Sequence, residues 1–140
     1  MRYLVLFSLF ISFSSFACPD ISGEYLCKRA SVTSPRLIEE TENGFIVTRD
    51  GNSTEYIADG ITVQTVPSND SMTDGSFTSL CKDDQFIVDF KATLLYEGAV
   101  VGKQVKRTTY EFKNDELHII TKVKIKGVPL PTIKEICRLQ

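Results

Sequence analysis

His118 is the only histidine in the chain, so any mechanism that needs an imidazole must run through it. Nucleophilic catalysis would place an activated hydroxyl beside that ring, on the same face of its element. A strand pairing that sets His118 opposite Glu111 brings Thr109 to that face, but nothing in the sequence around Thr109 activates it. Glu39-Glu40 and Asp83-Asp84 are adjacent carboxylates. Neighbours along a strand point to opposite faces, and Asp83-Asp84 reads as a turn, so neither pair can flank one bond as acid and base. No Gly-x-Ser-x-Gly, phosphate-loop or dinucleotide fingerprint occurs. One histidine leaves little room for a multi-histidine metal centre. The chemistry expected is therefore binding, without catalysis, metal or cofactor.

The cysteines, Cys18, Cys27, Cys81 and Cys137, are too widely spaced for zinc and contain no Cys-x-x-Cys. The start of the chain gives them a context. Met1-Arg2 precedes an apolar run of about 14 residues and the small residues of Ser15-Phe16-Ala17, the grammar of a signal peptide cut after Ala17. The chain is read as a signal peptide, 1–17, and one domain, 18–140. Export to the periplasm or beyond the cell makes an even cysteine count two disulfides. A lipid anchor on Cys18 is the rival reading, disfavoured by Ser15 and Phe16 at the signal positions and by the odd count it would leave. No other segment approaches a transmembrane span.

A formal net charge of -2 argues against a general nucleic-acid binder. The charge is uneven: residues 18–97 hold 6 basic and 14 acidic side chains, residues 98–140 hold 9 and 4. Lys122, Lys124 and Lys126 alternate along one predicted strand. They form a solvated outer face or a stripe for an anionic or protein partner.

Turn signals set the architecture. Asn43-Gly44, Asp50-Gly51, Asp59-Gly60, Asp83-Asp84, Glu97-Gly98 and Asn114-Asp115 break the chain into short alternating runs. Turning at Asp50-Gly51 pairs Phe45 with Tyr56, and turning at Asp59-Gly60 pairs Tyr56 with Val63 and Ala58 with Ile61. Asp83-Asp84 pairs Phe77 with Phe90 and Cys81 with Phe86, and Asn114-Asp115 pairs Tyr110 with Ile119. Residues 67–75 read as the longest loop, and Gly102 as a bulge. The fold expected is all-β: an antiparallel up-and-down meander of about 8–10 strands closed into a barrel, since closure removes sheet edges. With first and last strands adjacent, Cys18 is expected to meet Cys137, leaving Cys27 for Cys81.

Gly23-Glu24-Tyr25 at the opening of the first strand, the long meander and Arg138 in the last strand together resemble the calycins, which include lipocalins, fatty-acid-binding proteins and avidins. The resemblance implies a barrel with an interior ligand site, and an aromatic, here Tyr25, stacked with Arg138 at the closed end. Tyr25-Leu26-Cys27 also looks like the opening of small exported lysozyme inhibitors, which would act through loops or a basic face.

The inward positions collect many aromatic residues. Tyr56, Phe86, Phe90, Tyr110 and Phe112 are the predicted lining for a small apolar or amphipathic ligand. Aromatic content does not measure cavity volume, and barrels of about eight strands are either filled or hold one small ligand.

Overall fold

The computed structural model describes residues 18–140; the expected signal segment lies outside the described residues. The alternating runs fold as eleven strands: β1 (Gly23–Arg29), β2 (Val32–Thr41), β3 (Gly44–Arg49), β4 (Asn52–Ile57), β5 (Gln64–Val66), β6 (Met72–Lys82), β7 (Gln85–Tyr96), β8 (Ala99–Lys113), β9 (Glu116–Ile125), β10 (Val128–Pro129) and β11 (Ile133–Leu139). All pairings are antiparallel, in the order β4-β3-β2-β1-β11-β9-β8-β7-β6-β5, with the short β10 beside β9. The meander curls until its two edge strands, β4 and β5, nearly meet. Among the described residues no helix is long and apolar enough to cross a membrane.

Hairpin chemistry accounts for the register. Asp50-Gly51, Asp83-Asp84, Glu97-Gly98 and Asn114-Asp115 each place both central residues at positive φ, between 50° and 79°. That is the turn whose twist matches the flanking strands. The expected pairs Phe45–Tyr56, Phe77–Phe90, Cys81–Phe86, Tyr110–Ile119 and Glu111–His118 are all observed. The pairing slips between Leu94 and Leu95 opposite Gly102, which marks the expected bulge.

Four expectations are corrected. The turn expected at Asn43-Gly44 falls at Glu42-Asn43, with Thr41 opposite Gly44. Gly44 belongs to the strand, where any Cβ would collide with the Tyr56 carbonyl oxygen.

Asp59-Gly60 does not make a hairpin. The Asp59 carboxylate accepts hydrogen bonds from the main-chain N–H groups of Ile61 (2.8 Å) and Thr62 (2.7 Å) and from the Thr62 hydroxyl. This local turn competes with a ladder and carries the chain across to β6, where Asp59 bridges Leu80. Ile61 and Val63 are left 82% and 60% exposed instead of joining the inner face, and β5 pairs β6. The seam with β4 is closed by one side chain: the Gln64 Oε1 accepts from Ile57 N (2.9 Å) and its Nε2 donates to Glu55 O (2.8 Å). The amide stands in for a strand residue. Beyond it the chain re-enters the sheet early, β6 starting at Met72 inside the expected 67–75 loop.

The disulfides are Cys18–Cys81 and Cys27–Cys137, not the expected pairing. The first and last strands are indeed neighbours, but their register sets Cys27 directly opposite Cys137. Cys18 lies beyond the start of β1 and crosses the end of the barrel to Cys81 in β6. Both bonds belong to an oxidising environment, as in exported proteins.

Candidate functional site

The interior is divided along the barrel axis. At the end carrying the β2–β3, β6–β7 and β8–β9 turns it is solid: Ile21, Tyr25, Phe45, Phe86 and Leu117 are essentially fully buried around both disulfides. The Phe86 ring packs 4.7 Å from Phe45, 5.2 Å from Tyr110 and 5.8 Å from Tyr56, centroid to centroid. The segment before β1 plugs this end, with the Tyr25 hydroxyl donating to Ile21 O at 3.0 Å.

Towards the other end the same strands enclose a cavity of about 600 Å³. Its wall runs from Arg36 in β2, Val47 and Arg49 in β3 and Thr54 and Tyr56 in β4 across to Lys106, Thr108 and Tyr110 in β8, Thr121 and Val123 in β9 and Glu135 in β11. A smaller recess of about 200 Å³ shares Thr54, Tyr56, Lys106, Thr108 and Tyr110 with it, and is finished by Val66, Phe77, Val88 and Phe90 beside the β4–β5 seam.

The polar wall is organised on Glu135. Arg36 Nη1 contacts its Oε2 at 2.8 Å, with both side chains buried, and Arg49 Nη1 approaches its Oε1 at 3.8 Å. Arg49 also reaches Asp50 at the rim, Nε to Oδ2 3.4 Å. The Nε and Nη2 of Arg36 are buried without a hydrogen-bond partner. Lys106 Nζ sits 4.8 Å from the centre of the Phe90 ring, within cation–π range. Burial, and secondarily the charge of Arg49, pulls its ammonium below the ordinary lysine range. Burial pushes the Tyr56 and Tyr110 phenols up, so both remain neutral donors or acceptors.

Of the predicted lining, Tyr56 and Tyr110 border both spaces and Phe90 the recess. Phe86 is core in the packed half, and Phe112, 39% exposed, lies near Tyr25 at the closed end, ring centres 6.4 Å apart. The charged wall was not anticipated. Its signal is phase: Arg36 is in step with Ile38, Arg49 with Phe45 and Val47, Lys106 with Tyr110, and Glu135 with Cys137.

Arg138 does not stack on Tyr25. It is opposite Leu26 on the outer face and binds Glu116, Nε to Oε1 2.7 Å. Lys122, Lys124 and Lys126 are exposed; Arg107, opposite Lys122, is held by Asp89 at 2.7 and 2.8 Å. The stem of Lys126 covers Gly102. His118 also faces outward, its Nε2 buried without a hydrogen-bond partner and 3.8 Å from Glu116 Oε2. Comparison with family models, curated proteins and solved structures gives no match to this chain.

Proposed function

We propose that this chain is an exported, calycin-like binding barrel of the periplasm or extracellular space that holds one small amphipathic molecule in the open half of its interior. The observation carrying this reading is the cavity of about 600 Å³ formed by inward side chains of facing strands above a solid floor. Ligand sites span roughly 300–1,000 Å³ and pair apolar walls with a few placed polar groups. The lining has that mixture, with Val47, Tyr56, Tyr110 and Val123 beside Arg49, Lys106 and Glu135. The glycine and aromatic at the start of β1 and the antiparallel meander support the calycin comparison, and the outward Arg138 departs from it.

The test is titration with N-phenyl-1-naphthylamine, whose fluorescence rises in apolar surroundings. Saturable one-to-one binding is expected, lost in Thr121→Trp, which fills the cavity, and kept in Lys122→Glu/Lys124→Glu, which alters only the outer face. Binding that survives the filled cavity overturns the reading.

A further inference from the structure

We infer that the molecule held in this barrel is an organic anion, its charged end seated between Arg49 and Lys106 and its apolar body in the recess against Phe77, Val88 and Phe90. The inference rests on the interior-binding reading and specifies its ligand.

The wall of the larger cavity carries Arg29, Arg36, Arg49 and Lys106 against only Asp50 and Glu135. This excess of positive charge faces inward in a chain whose formal net charge is -2, so it does not follow from composition. Glu135 is oversubscribed: Arg36 takes one oxygen at 2.8 Å while Arg49 stands 3.8 Å from the other. Arg36 is still short of acceptors, with Nε and Nη2 unbonded on a side chain 4% exposed. A buried guanidinium with two idle donors is costly unless negative charge is supplied nearby. Those nitrogens are sealed from solvent, so Arg36 acts through its field. The cations accessible to a ligand are Arg29 and Arg49, both exposed, and Lys106, which has no carboxylate partner among the described residues; of these Lys106 alone also borders the recess.

The recess gives the other end of the ligand. Phe90 lies beneath Lys106 Nζ, so the cation sits where the polar cavity passes into the apolar recess. A molecule with one anionic group on an apolar body meets both surfaces at once. Contacts to an ionised group are stronger than neutral ones, the more so where the group is partly buried, as Lys106 is.

Two probes with the same aromatic body decide the matter: 1-anilinonaphthalene-8-sulfonate and the uncharged N-phenyl-1-naphthylamine. The sulfonate is expected to bind about tenfold more tightly at low salt. Arg49→Gln and Lys106→Gln should each reduce the ratio of sulfonate to neutral-probe affinity several-fold. Lys106→Arg should retain the preference. Equal affinities that ignore both substitutions overturn the anion and leave the binding barrel standing. Loss of sulfonate binding in Lys122→Glu/Lys124→Glu alone would move the anion to the outer face and also overturn it. If neither probe binds, the binding barrel itself fails, and this inference with it.

Discussion

The two halves of this barrel are built from the same strands with the same alternation, yet one is solid and the other hollow. In the packed half the inward positions are Tyr25, Phe45, Phe86 and Leu117, with Ile21 folded over the end. One or two inward steps further along, they become Arg36, Arg49, Lys106 and Glu135. Alternation decides only which side chains face the axis. Whether the space closes depends on their volume and on charges that repel one another across it. Close packing therefore concentrates at the end with the disulfides and plug, and the other end is left open.

The sharpest way to break that comparison is to truncate a residue in each half. Phe86→Ala should cost about 3–5 kcal/mol in urea unfolding, because its neighbours are close-packed and cannot collapse into the gap. Glu135→Gln should cost about 3 kcal/mol despite lying in the hollow half, because it strands the buried Arg36 charge. Val123→Ala, on the cavity wall, should cost only about 1 kcal/mol, since it enlarges a space already present. Equal losses for Phe86→Ala and Val123→Ala would show that the halves do not differ. The smallest effect is local and depends on pH. Hydrogen bonds from Thr62, and then from Ile61, hold the Asp59 carboxyl below its ordinary range. A lowered folded-state value makes this turn's contribution fully present above the ordinary carboxylate range and lost as pH falls through the lowered one. Protection of the Ile61 and Thr62 amides, measured against their intrinsic exchange rates, should fall there, and in Asp59→Ala it should be lost at every pH.

Much of the fold was legible because turn chemistry and period agreed. Asp50-Gly51, Asp83-Asp84 and Asn114-Asp115 each fixed a register that the sheet keeps. Asp59-Gly60 misled because the same residue types also make a side-chain-capped turn, and only the Ser79–Leu80 backbone, distant in sequence, selects it. Cysteine pairing needed the offset between β1 and β11, which no local signal contains. Of the cavity lining, Tyr56, Phe90 and Tyr110 are legible because aromatic residues on an inner face invite attention. The inward arginines, Lys106 and Glu135 are harder to read because charge is ordinarily assigned to the outside, although their phase is in plain view.

The Cys27–Cys137 bond has a consequence outside folding and binding. It ties the first strand to the last, so it spans every loop of the barrel. A protease that cuts one peptide bond anywhere between those residues releases no fragment, since both pieces remain on the same covalent ring. The exposed stretch around Ile61 and the one around Leu130 could each be nicked unseen. A gel run without reductant would report an intact chain, and only thiol treatment would reveal the wound.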